Sequence, residues 1–219
     1  MDKTLTDYLM QTLPDEDNWV SELEQSAHNE GVPIMDPVSM QFVMQLIRLT
    51  KPKRILEIGS AIGYSALRML QANPEAKIVT IEKDEERYNQ AKRNISERGE
   101  QDHIRTIHGD AIDELQGMTE GPFDLILIDA AKGQYRRFFE LSAPLLANDG
   151  VVLTDNVLFK GYVADSEKQH PRYEKIAQKI RAYNDWLINH PGFTTTIVPV
   201  GDGIAISKDK EGKGLSSHA

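Results

Sequence analysis

The stretch Lys53-Arg54-Ile55-Leu56-Glu57-Ile58-Gly59-Ser60-Ala61-Ile62-Gly63-Tyr64-Ser65-Ala66 changes its periodicity twice. Residues 53–58, with Ile55, Leu56 and Ile58, read as a strand, Gly59 to Gly63 as a glycine turn, and Tyr64–Ala72 as a helix. Strand, glycine turn and helix in that order open a parallel βαβ unit. Downstream, strands are predicted at 77–81, 104–108, 123–128 and 150–154, with helices at 84–97, 134–146 and 171–189. Asp84 is a candidate N-cap for the helix that follows it. The run Phe123-Asp124-Leu125-Ile126-Leu127-Ile128 is apolar enough to be buried on both faces. Strands at 193–198 and 203–207 are joined by Pro199-Val200-Gly201-Asp202, too short for a helical crossover, so they should pair antiparallel. The alternation as a whole implies an α/β sheet with helices on both faces.

Upstream, residues 16–30 and 37–50 read as helices separated by Gly31 to Asp36. Met40, Val43, Met44 and Ile47 recur at helical spacing behind Pro37. The 219 residues suit a single domain: a helical extension at 1–50, an α/β core at 51–208 and a flexible tail at 209–219.

Charge is unevenly spread. Residues 1–30 hold eight acids and one base, most of the formal −9, and their expected state is a solvated acidic helix. Residues 132–181 are locally basic, a surface that either faces water or meets an anionic substrate. The total charge excludes a generally basic nucleic-acid coat protein. The absence of cysteine excludes disulfides, thiolate metal sites and cysteine nucleophiles. No apolar run approaches the roughly 18 residues of a membrane span. The N-terminal residues lack the basic start and apolar stretch of a secretory signal, so a cytoplasmic location is expected.

The glycine spacing is G-x-x-x-G, not the dinucleotide G-x-G-x-x-G. Glu57 lies just before the turn and Asp129 ends the 123–128 strand, so acids meet at the crevice and favour a cationic ligand. Glu82, ending the second strand, is where an acid accepts ribose hydroxyls, and Asp110 after the third could read an adenine amino group. A cation carrying ribose and adenine is S-adenosyl-L-methionine. Asp129 and Asp155 end strands that a right-handed crossover makes neighbours, and Asn156 adds a third oxygen. Three hard oxygen donors favour Mg²⁺ over zinc. Lys132, three residues past Asp129, is placed to take a proton from a hydroxyl. The bland alternatives are loop acids and a loop lysine facing water. The six histidines show no metal-ligand spacing.

These residues carry a resemblance. EIGSAIGYSA, IDAAKGQY, TDNVL and VGDGI resemble the cation-dependent O-methyltransferases of the catechol and caffeoyl-coenzyme A type, from about Met35 to Ser207. The resemblance implies a class I methyltransferase, Rossmann-like three-layer sandwich with a seven-stranded, mostly parallel sheet and an antiparallel last pair. It implies S-adenosyl-L-methionine contacts at Met35, Glu57, Gly59, Gly63, Ser65, Glu82, Asp110, Ala111 and Asp129. It further implies Mg²⁺ at Asp129, Asp155 and Asn156, catalysis by Lys132 with Asp129, and a homodimer. Within the family the chain is most similar to bacterial tRNA 5-hydroxyuridine methyltransferases, which implies the tRNA anticodon wobble base as acceptor. A small catechol-like molecule is the alternative. Both acceptors offer two adjacent oxygens. Lys160, Lys168, Arg172, Lys175 and Lys179 follow the metal-site strand and could meet RNA phosphates. A silent adenosyl-binding scaffold and a nucleotide-dependent dehydrogenase are the rival readings, opposed respectively by Lys132 with the metal ligands and by the glycine spacing.

Overall fold

The computed structural model describes residues 3–164 and 172–210. Three helices lead the chain: α1 (Lys3–Gln11), α2 (Asn18–Glu30) and α3 (Pro37–Thr50). The α/β part follows as β1 (Arg54–Ile58), α4 (Tyr64–Ala72), β2 (Lys77–Glu82), α5 (Glu85–Glu97), β3 (Ile104–His108), α6 (Ala111–Gly117), β4 (Phe123–Ile128), α7 (Tyr135–Ser142), β5 (Leu146–Thr154), α8 (Glu174–Ile188), β6 (Phe193–Val198) and β7 (Ile204–Asp209). They form a seven-stranded sheet in the order β3-β2-β1-β4-β5-β7-β6. The first five strands pair in parallel; β7 runs antiparallel to β6, as the short 199–202 connection predicts, and also to β5. The order reverses direction beside β1, which opens a crevice at the carboxyl ends of β1 and β4.

Two apolar layers fix this arrangement. Leu125 and Leu127 of β4 enter the layer shared with α3 and α4; Phe123, Ile126 and Ile128 enter the opposite layer with α7 and α8. From Leu125 to Ile128 alternate residues serve both faces, which is why this run is continuously apolar, and a register shift lies between Phe123 and Leu125. On α3, Asp36 caps the first turn by accepting from Ser39 N at 3.0 Å, and Met40, Val43, Met44 and Ile47 are buried as their spacing predicts.

The acidic N-terminal region is not simply solvated. Glu16 forms a two-pronged ion pair with Arg68 of α4, whose side chain is 2% exposed, and also accepts from Gln41. Glu24 accepts from the Tyr64 hydroxyl at 2.6 Å, and Glu30 from Gln90 at 2.6 Å. These contacts clasp α2 to the helices around the glycine turn. Removing Glu16 would leave a buried guanidinium uncompensated, a loss of about 3 kcal/mol.

Several boundaries differ from expectation. The helix predicted over 134–146 ends at Ser142 because Pro144 cannot donate its missing N–H; a short 3₁₀ turn, Ala143–Leu145, takes over. The following strand begins at Leu146 instead of Gly150, with a register shift opposite Phe123 and Leu125. Helices α1 and α6 were not expected. β7 reaches Asp209, and Lys210 N bonds to Gly192 O at 2.9 Å, so the first two residues assigned to a flexible tail are tied to the sheet edge. The rest of that tail, the predicted helix start at Pro171, and Lys168 lie outside the described residues.

Candidate active site

The crevice begins with Gly59. Its φ is +98°, and a Cβ there would stand 2.2 Å from the Asp129 backbone oxygen. Only glycine lets the β1 turn pass that close to the end of β4. Gly63 caps α4 at φ +81°.

Between these glycines the turn presents its amides to Glu82. One Glu82 oxygen accepts from Ala61 N at 2.8 Å and the other from Asp84 N at 2.9 Å. The carboxylate is thereby held at the crevice before any ligand arrives, with lone pairs left over. Asp110 is held the same way. It caps α6 by accepting from Ile112 N at 2.9 Å, and Lys83 donates to its other oxygen at 2.7 Å. Lys83 first, then the α6 amide, hold its carboxyl below the usual range. Ala111 begins α6 beside it.

Glu57 lies deeper. It is 0% exposed and accepts from the hydroxyls of Ser65 and Thr80. Burial pushes its pKa up to about 7 against the pull of those two bonds. Ser65 thus joins the turn to the acid beneath it, and Thr80 is a partner that no motif announced.

β4 and β5 supply the opposite wall. Asp129 N bonds to Ile58 O and Asp155 N to Ile128 O, each at 3.0 Å, so the two acids sit one strand apart at the same level. Burial raises the pKa of both, and at Asp155 the neighbouring Asp129 charge adds to the rise. Asp155 is 1% exposed; its Oδ2 accepts from Asn156 Nδ2 at 2.8 Å, while its Oδ1 has no partner. Asn156 adopts φ +59°, and its Oδ1 accepts from the Lys132 ammonium.

A cavity of about 360 Å³ joins the two walls. Met35, Gly59, Ser65, Glu82, Asp110, Ala111, Asp129, Lys132, Asp155 and Asn156 line it, so ten residues singled out in sequence converge on one space. Glu57 and Gly63 do not line it; they support the turn from behind. Sequence reasoning missed Pro33, Ile34, Arg87, Gln134 and Phe138, which also face the cavity. Gln134 and Phe138 follow Lys132 closely enough to have been suspected. Among the described residues no three His, Cys, Asp or Glu side chains converge as a metal cage. Two carboxylates plus the Asn156 amide still suit a hard cation: the unpartnered Asp155 oxygen and the two crowded acids are what such an ion would satisfy. The described helices include none long and apolar enough to cross a membrane.

Known proteins share this architecture. A catechol O-methyltransferase of Niastella koreensis is 31% identical over 91% of this chain and 94% of its own. A candidate caffeoyl-CoA O-methyltransferase from Staphylococcus aureus superposes with a TM-score of 0.84 at 36% identity, covering 94% of this chain and 98% of that one. An O-methyltransferase from Bacillus cereus, solved in complex with SAH, gives 0.81 at 27% identity over 94% and 97%. The O-methyltransferase family model matches residues 10–210, and the chain belongs to that family.

Proposed function

We propose that the protein transfers the methyl group of S-adenosyl-L-methionine to an acceptor hydroxyl that has a second oxygen beside it. The observation that carries this reading is the meeting, in one cavity, of a glycine turn with two pre-held carboxylates and a second wall of two crowded acids with a lysine. The SAH complex of the Bacillus cereus relative supports the donor.

In this mechanism Glu82 receives the ribose hydroxyls and Asp110 and Ala111 border the adenine. Met35 covers the donor, and Asp129 stands at the junction of the two walls. Asp129, Asp155 and Asn156 would hold Mg²⁺. When bound, such a cation acidifies the acceptor hydroxyl and orients it. Lys132, as the neutral amine, would turn from Asn156 to the acceptor and take the hydroxyl proton, becoming the ammonium. The acceptor oxygen then attacks the methyl carbon in line, and the carbon–sulfur bond breaks toward the thioether. Positioning of this kind contributes up to about 7–11 kcal/mol. Methyl transfer that continues in full after exhaustive chelation would reject the cation-dependent part.

For the acceptor we infer 5-hydroxyuridine at the tRNA anticodon wobble position, giving 5-methoxyuridine. Its 5-hydroxyl and 4-carbonyl are the two adjacent oxygens. The α8 face supports it: Lys175 and Lys179 are one turn apart, and Lys179 Nζ would lie 3.3 Å from a Cβ on Gly133, beside Lys132. A cation there suits a flanking phosphate. A small catechol is the second reading, favoured by the name of the Niastella koreensis relative. Nucleoside mass spectrometry of tRNA from cells with and without the protein decides: loss of 5-methoxyuridine supports the RNA reading. Efficient catechol methylation with hydroxyuridine-containing tRNA left untouched rejects it. The same reading takes the protein as a cytoplasmic homodimer. Exposed Leu5, Tyr8 and Met10 of α1 offer apolar surface for a second copy, and sedimentation tests it.

A further inference from the structure

The turn that carries Asp155 and Asn156 is held from beneath by three buried polar side chains, none of which lines the cavity. The Tyr135 hydroxyl donates to the Asp155 carbonyl at 2.9 Å. Tyr183 Oη and Thr154 Oγ1 share a bond of 2.9 Å. Asn184 Nδ2 donates to the Val157 carbonyl at 2.8 Å. Residues 154, 155 and 157 are therefore each fixed by a different side chain from α7 or α8. Asn156, between them, takes its positive φ with its amide turned to Lys132 and Asp155.

The arrangement is costly for packing alone. Two tyrosine hydroxyls and an amide are sunk in an otherwise apolar layer with Phe139, Ile180 and Leu187. The Asn184 Oδ1 has no partner, so a leucine there would remove an unsatisfied polar atom. Tyr135 also stands three residues beyond Lys132 and begins α7, so one hydroxyl links the lysine's segment to the acid's carbonyl. The Tyr135 and Tyr183 rings pack edge to face at 5.5 Å, which joins the two braces.

We propose that Tyr135, Tyr183 and Asn184 are positioning residues that aim the oxygens of Asp155 and Asn156 at a shared divalent cation. This rests on the cation reading of the site. Groups that orient metal ligands without touching the metal commonly change its affinity about 10–100-fold.

The test uses the full chain and Mn²⁺ alone as probe, titrated calorimetrically, with SAH binding measured in parallel. Tyr135→Phe, Tyr183→Phe and Asn184→Leu should each weaken Mn²⁺ about tenfold and leave SAH affinity within about twofold. Amide exchange at Asn156 and Val157 should rise in the Tyr135 and Asn184 variants. Thr195→Val is the control: it deletes a comparable hydroxyl pair with Ser207 between β6 and β7, and should leave Mn²⁺ affinity unchanged. Folded variants that bind Mn²⁺ like the wild type overturn the proposal, as does an equal loss in Thr195→Val. Should Tyr135→Phe not fold, the Tyr183 and Asn184 variants decide. A wild-type protein that binds no Mn²⁺, or Asp155→Asn binding it equally well, overturns the cation reading itself.

Discussion

The two walls of the cavity are finished to different degrees. On the β2–β3 side, Glu82 and Asp110 already have donors on both oxygens, and Asp110 titrates below its ordinary range. On the β4–β5 side, Asp129 lies half-buried beside the buried Asp155, both titrate high, and one Asp155 oxygen is unpartnered. On the proposed reading, the first wall receives a ligand that brings hydroxyls and an amine to spare lone pairs. On the same reading, the second receives something that brings positive charge. Polar wall and charge-hungry wall meet where Gly59 touches the end of β4.

The largest effect should come from breaking the second wall. On the proposed cation reading, Asp155→Asn should lower methyl transfer about a thousandfold, since metal-based charge stabilisation would be worth several kcal/mol. The same change should raise the thermal midpoint of the metal-free protein, because it removes a buried, crowded carboxylate. A fall in both would mean that the wall is not strained in the absence of a cation.

Gly59→Ala attacks the junction. Backbone must move to admit the Cβ, and the positive φ adds strain, so stability should drop by about 3 kcal/mol in chemical denaturation. An unchanged midpoint would show that the walls are not locked at this point.

pH should test the raised carboxyls of the crevice without mutation. Glu57 behind the turn has a folded pKa of about 7 against an ordinary 4.5. Its raised value means that stability is fully present below about pH 4.5 and is lost as pH climbs to 7, on the order of 3 kcal/mol. Asp129 and Asp155 act in the same direction. Denaturation of the metal-free protein should therefore show lower stability at pH 8 than at pH 5, and Glu57→Gln should flatten the slope. A flat wild-type profile would mean that burial does not raise these carboxyls.

The smallest effect belongs to the finished wall. Glu82→Ala should weaken SAH by about 1.5–3 kcal/mol, roughly ten- to a hundredfold, through lost charge-assisted bonds. Calorimetry that finds no change would reject the ribose assignment.

The strand ends were legible because chemistry and fold speak together there. Glycines, then acids, recur where strands stop, and a parallel sheet brings those stops to one edge. Asp129 and Asp155 could be paired from the crossover rule alone. The depth of Glu57 could not: a residue before a turn can face the cavity or the sheet, and the Thr80 contact that draws it inward spans 23 residues. Helix α6 was missed because seven residues carry too little periodicity, although Asp110 was noticed for another reason than its cap. Pro144 was readable as a helix stop. The tyrosines beneath Asp155 were not, since apolar spacing on α7 and α8 hides a hydroxyl that points along the layer.

The clasp between Glu16 and Arg68 has a consequence for the order of synthesis. Residues 16 and 68 are separated by 52 positions, and the acidic segment is synthesised before α4. Until α4 has emerged and closed, α2 lacks the guanidinium and phenol that receive it. Eight acids against one base keep those first 30 residues dispersed in the interval, as like charges repel. The negative charge of this segment is then partly neutralised when α4 forms and Arg68 pairs with Glu16.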